Sequence, residues 1–68
     1  MSDSSIQGAQ SASRTLALLE AVTLDGGRTL AANIVAELGL APATGRRLLA
    51  LLVERELVMR VGRGRYAG

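Results

Sequence analysis

The sequence predicts a mainly α-helical fold with a small β-hairpin, three helices forming the core and a two-stranded ribbon closing it. Three observations carry that prediction. Apolar residues recur at i, i+3, i+4 and i+7 in two stretches, Ala31, Ile34, Val35 and Leu38, then Gly45, Leu48, Leu49 and Leu52, the spacing that lines one face of a helix. A broader apolar band lies upstream, through Leu16, Leu18, Leu19 and Val22. Beyond Glu56 the helical period stops, and the short runs Leu57 to Val61 and Arg65 to Ala67 flank Gly62-Arg63-Gly64, whose glycines supply the positive φ values of a tight hairpin.

Taken in order, residues 1–10 carry three Ser, one Gly and little apolar content, and are expected to form a disordered leader before a single domain at 11–68. Ser11 is the expected N-cap of the first helix, which runs to about Leu24 with Leu16, Leu19 and Thr23 on one stripe and Leu18 and Val22 beside it. An apolar band that wide is either deeply buried or shared with a second subunit. Asp25-Gly26-Gly27 breaks the helix. The second helix starts at Ala31 and ends at Gly39, where a left-handed backbone suits glycine and Leu40 packs back on Val35. Pro42 then opens the third helix, because its missing N–H would have been unpaired at that position anyway. Only Gly39-Leu40-Ala41 separates the two helices, so they must cross steeply. At about 100° per residue, the third helix, which runs to about Arg55, turns Ala43, Arg47, Ala50 and Glu54 away from its apolar face, flanked by Arg46 and Leu51.

Composition narrows the function. At 68 residues with 49% hydrophobic and 21% charged content, the chain is one domain, too apolar for intrinsic disorder. It has no Cys and no His, which removes thiol nucleophiles, disulfides, imidazole bases and the usual ligands of structural zinc. The six carboxylates form no acid and base pair that can be placed in one pocket, and the hairpin glycines lack the flanking strand and helix of a phosphate-binding loop. No catalytic residue, metal or cofactor is expected. No apolar run reaches membrane-spanning length and no export signal is visible, so a cytoplasmic location is the expectation.

The net charge of +2 hides an asymmetry. Up to Ala41, two arginines face four carboxylates; from Pro42 onward, Arg46, Arg47, Arg55, Arg60, Arg63 and Arg65 face only Glu54 and Glu56. A basic C-terminal part points to an anionic partner, nucleic acid being the commonest. Two short amphipathic helices joined by a glycine turn are the signature of a helix-turn-helix, whose second helix enters the major groove, and the basic hairpin that follows makes it a winged helix-turn-helix. On that reading the helix at about 42–55 reads DNA through Ala43, Thr44, Arg46 and Arg47 in its N-terminal half, and the wing at 60–66 lies on the backbone or minor groove. Arg46 suits guanine O6 and N7 or a phosphate. Thr44 suits a phosphate, a thymine methyl or a hydrogen bond within its own first turn. Arg63 and Arg65 are candidate phosphate contacts. Arg60 can face solvent without a partner. Tyr66 is expected to pack the hairpin on the third helix rather than stack on a base, and Leu51 marks either a subunit contact or a single exposed leucine.

The segment Gln10-Ser11-Ala12-Ser13-Arg14-Thr15-Leu16-Ala17-Leu18-Leu19-Glu20 resembles the opening helix of the IclR-type transcriptional regulators. Ala36-Glu37-Leu38-Gly39-Leu40 is similar to that family's second helix and turn, Thr44-Gly45-Arg46-Arg47-Leu48-Leu49 to its recognition helix, Leu52-Val53-Glu54-Arg55 to the helix end, and Gly64-Arg65-Tyr66 to the returning strand of its wing. The resemblance implies a bacterial, sequence-specific regulator that binds double-stranded operator DNA as a homodimer, with Arg47 at an arginine common in the family. It also implies a small-molecule effector sensed by a C-terminal domain that is absent from this chain. Four positions depart from the pattern. Ala41 stands where proline is usual and Ala43 where serine is frequent, so the third helix lacks a capping oxygen. Gly45 replaces a small apolar or β-branched residue, at about 1 kcal/mol in helix propensity, and Glu56 replaces the glycine that ends the helix, which forces it toward a left-handed backbone. A reading helix that firms only on DNA is the expectation from these departures. The competing expectation is a winged-helix module for protein interaction or dimerisation that does not bind DNA.

Overall fold

The structure, a computed structural model, describes residues 3–68, with side chains from Gln10 onward. Helix α1 spans Asp3–Asp25, α2 Ala31–Glu37 and α3 Pro42–Glu54, and strands β1 (Met59–Gly62) and β2 (Arg65–Ala67) pair antiparallel. The predicted fold class is present, a three-helix core with a wing.

The start of α1 differs from expectation. Ser11 is not its cap but an internal residue, whose carbonyl accepts a hydrogen bond from Thr15 Oγ1 at 3.0 Å. Met1 and Ser2 lie outside the described residues, and from Asp3 the backbone is helical. Gln7, Ala9, Gln10 and Ala12 are good helix formers, and extending an established helix adds one hydrogen bond per residue fixed without a new nucleation step. The buried stripe of α1 is also rotated from the expected one. Leu18 and Val22, one turn apart, are fully buried, whereas Leu16 and Thr23 are exposed. They join Ile34 and Val35 of α2, Leu49 and Leu52 of α3, and Val58 ahead of the wing in one apolar cluster, against which Leu19, Leu48 and Tyr66 pack.

Helices α2 and α3 end in the same way. After α2, Leu40 N–H donates to the Val35 carbonyl and Gly39 N–H to the Ala36 carbonyl, with Gly39 at φ +74°. After α3, Leu57 N–H donates to Leu52 and Glu56 N–H to Val53, with Glu56 at φ +61°. Both are Schellman closures, which satisfy carbonyls that the helix leaves open. The second forces a side chain into the left-handed region, as the sequence implies.

Gly45 has a packing role that helix propensity hides. It is buried, and a Cβ built on it would stand 2.5 Å from Val35 Cγ1 and 2.6 Å from Cγ2. Its missing side chain is therefore the space in which Val35 seats, and α2 approaches α3 more closely than any larger residue at this position would permit. The departure that reads as a source of looseness in the sequence is a point of close contact in the fold.

The wing is fastened to the body at several points. Its strands pair Met59 with Ala67, Arg60 with Tyr66 and Gly62 with Arg65, with an irregularity between Arg60 and Gly62 that accommodates the extra residue Val61. Arg63-Gly64 is thus the turn, and only Gly64 has positive φ (+68°), not both glycines as expected. The Gly64 carbonyl accepts from Ala31 N–H at 2.7 Å, so the wing supplies a partner for the first backbone donor of α2. Gly27 completes the junction, since a Cβ there would stand 2.7 Å from Val61 Cγ2.

Candidate nucleic-acid interface

Helix α3 is divided by its own periodicity. Gly45, Leu49 and Leu52 are buried, while Ala43, Arg46, Arg47 and Ala50 are exposed and Thr44 is half-buried. Pro42 occupies the first turn, and Ala41 at the N-cap offers no side-chain hydrogen bond. The early N–H groups of α3 are consequently not capped by a side chain of their own chain, and they add partial positive charge beside Arg46 and Arg47.

The wing lies on the side of α3 that carries Arg46, because Arg46, Pro42 and Leu49 line one cavity together with Gly64 and Tyr66. Arg63, at the turn, is exposed. Arg60 is exposed too, its Nε donating to the Gly62 carbonyl at 3.4 Å. Tyr66 is half-buried and packs against the core, but the helix that its strand meets most is α1, not the third helix as expected. Leu51 is exposed on the outer flank of α3.

Arg65 is engaged in a way the sequence does not disclose. Its Nη1 donates to the Arg28 carbonyl and, at 3.5 Å, to the Gly27 carbonyl, tying β2 to the loop between α1 and α2. A guanidinium carries five N–H donors, so Nη1 serves as a strut while Nε and Nη2 make no hydrogen bond among the described residues. The same contact brings Arg28 to the root of the wing. Sequence reading assigns Arg28 to the acidic part of the chain, and only the tertiary contact across 37 residues joins it to the basic one.

The loop is set by Asp25. Its Oδ2 accepts from Thr29 N–H at 2.8 Å, and hydrogen bonds from the Thr29 side chain and backbone hold its carboxyl below the usual value of 3.8. Asp25 thereby closes the Gly26-Gly27 turn on which Arg65 bears.

Three helices, a tight turn before an amphipathic third helix with a polar outer face, and a basic wing define a winged helix-turn-helix. The IclR helix-turn-helix domain matches residues 11–62. The chain belongs to that family, whose helix-turn-helix domains are the DNA-binding parts of transcription regulators and are regulatory, not catalytic. No curated protein and no solved structure matches the chain significantly. Among the described residues no helix is long and apolar enough to cross a membrane, and no group of three or more acidic, His or Cys side chains could hold a metal ion.

Proposed function

We propose that this chain binds double-stranded DNA sequence-specifically as a homodimer in the bacterial cytoplasm, with the N-terminal half of α3 in the major groove and the wing on the backbone or minor groove. The observation that carries this reading is the division of α3. One side is locked to α2 through Gly45 and to the core through Leu49 and Leu52, and the other presents Ala43, Arg46 and Arg47 to solvent next to a fastened basic wing. Arg47 and Arg46 read base edges, Thr44 contacts a phosphate, and Arg63, with the free donors of Arg65, holds the backbone.

Selection from a randomised duplex library, followed by anisotropy titration of the enriched duplex and a scrambled one at several salt concentrations, tests it. Enrichment of a two-fold symmetric site is expected, as a dimer of such domains requires. Arg47→Ala should weaken the enriched duplex by about 1–3 kcal/mol while leaving the scrambled one nearly unchanged, whereas Arg63→Ala should weaken both and flatten the salt slope. No enrichment together with salt-independent binding refutes the proposal.

The homodimer is supported by α1, where Leu16 is 58% and Leu24 88% exposed on a helix whose opposite side is buried. The same exposure supports the second reading, a winged-helix module that binds protein alone. Sedimentation at several concentrations separates them. A dimer weakened by Leu16→Glu and a specific DNA complex favour the first reading, and a strict monomer indifferent to DNA favours the second.

A further inference from the structure

Between α2, the start of α3 and the wing lies a cavity of about 340 Å³, within the size range of small-molecule sites. Leu30, Ala32, Val35 and Leu49 give it apolar walls, Tyr66 adds an aromatic ring, and Arg46 is the one charged residue that lines it. The side-chain hydrogen bonds of the described residues run through Thr15, Asp25, Arg60 and Arg65, and none involves Arg46. We infer that this cavity binds a small carboxylate with a flat apolar body, an aromatic monocarboxylate, its ring against the apolar walls and its carboxylate on the Arg46 guanidinium.

The chemistry of the lining selects this class. A free phosphate would meet a single cation and gain nothing from the apolar walls. A neutral hydrocarbon would use the apolar walls but draw nothing from the exposed Arg46 at the cavity's edge. A carboxylate takes two parallel N–H bonds from the planar fork, and a space more than twice the roughly 150 Å³ that accommodates benzene has room for an aromatic ring together with its carboxylate. This places a ligand in the winged domain itself, in addition to the effector domain that the family resemblance implies. Because Arg46 is assigned to DNA, the bound carboxylate would compete with DNA for it. That consequence alone rests on the function proposed above.

Amide chemical-shift titration of the labelled chain, free of DNA, tests the site with benzoate, benzamide and inorganic phosphate as probes. Saturable shifts at the amides of Ala32, Arg46 and Gly64 are expected with benzoate at about millimolar concentration, and binding about tenfold weaker with the uncharged isostere benzamide. Arg46→Gln should abolish the preference for benzoate over benzamide. Ala32→Trp, an exposed position outside the DNA contacts, should fill the cavity and remove the shifts while the rest of the spectrum stays folded. Equal binding of benzoate and benzamide, equal effectiveness of phosphate, or unchanged titration in Ala32→Trp each overturns the assignment. A separate anisotropy arm with duplex DNA keeps the two proposals distinct. Failure to bind any duplex removes the DNA reading and leaves the cavity result standing, and failure of benzoate to bind removes the cavity whatever the DNA result.

Discussion

Val35 of α2 seats its isopropyl group on the bare Cα of Gly45 in α3, so closely that a Cβ at 45 would stand 2.5 Å from Cγ1. A β-branched side chain has little rotamer freedom in a helix, which leaves Val35 poor means of giving way, and the pair fixes how α3 stands on α2. Gly45→Ala should therefore destabilise the domain although alanine is the better helix former. Overpacking of this kind costs about 1–3 kcal/mol, against about 1 kcal/mol regained in propensity. In the Val35→Ala background the same substitution should become neutral or stabilising, a coupling of about 1–2 kcal/mol. Urea unfolding of the four members of the cycle measures it, and additive effects would show that the two residues do not set the helix approach.

Glu56 presents the opposite situation, a residue retained where glycine would be easier. Its φ of +61° closes α3 through the Leu57 to Leu52 and Glu56 to Val53 hydrogen bonds, and it is exposed, so no burial compensates the conformation. Glu56→Gly should stabilise the chain by about 1 kcal/mol, which for a domain of this size raises Tm by about 4–8 °C. A lowered Tm would mean that the glutamate side chain contributes more than its backbone costs.

The order of elements, the Pro42 start, the Gly39 closure and the outward face of α3 were all legible, because each follows from local periodicity or from one residue's backbone preference. Pairs were not legible. Gly45 alone looks like a weak helix residue and Val35 alone like a core position, and only their apposition gives the glycine its purpose. The rotation of the α1 stripe onto Leu18 and Val22 had the same origin, since a helix apolar on most sides does not declare which side its neighbours will take. Arg65 read as one more cation of the wing, whereas its Nη1 faces carbonyls that lie far away in sequence.

Arg65 and Arg63 should accordingly separate in experiment. Arg63→Ala should lower duplex affinity and the salt slope with Tm nearly unchanged, as expected for an exposed side chain on a turn. Arg65→Ala should lower Tm as well, because it removes the strut to Gly27 and Arg28, a hydrogen bond from a charged donor being worth about 1.5–3 kcal/mol when buried and less at this partly exposed site. Arg28→Ala should resemble Arg63→Ala, since the strut uses its carbonyl and leaves its side chain free. Thermal melts and anisotropy on the same three variants decide it, and equal behaviour of Arg63→Ala and Arg65→Ala would place both on phosphate alone.

The loop that receives this strut should loosen in acid. Asp25 titrates below 3.8 in the folded chain because hydrogen bonds from Thr29 favour its charged form. The unfolded chain then binds the proton more readily than the folded one, so the contribution of Asp25 is complete above the unfolded value and fades as pH falls through the folded one. Asp25→Asn keeps an acceptor oxygen but not the charge, and should flatten the acid limb of a Tm profile below about pH 4 while lowering Tm slightly at neutral pH. Amide exchange at Thr29 should quicken in parallel, since its N–H is the donor to Oδ2. An acid limb identical in the variant and the parent would assign the acid sensitivity to other carboxylates and remove Asp25 as the residue that closes the turn beneath the wing.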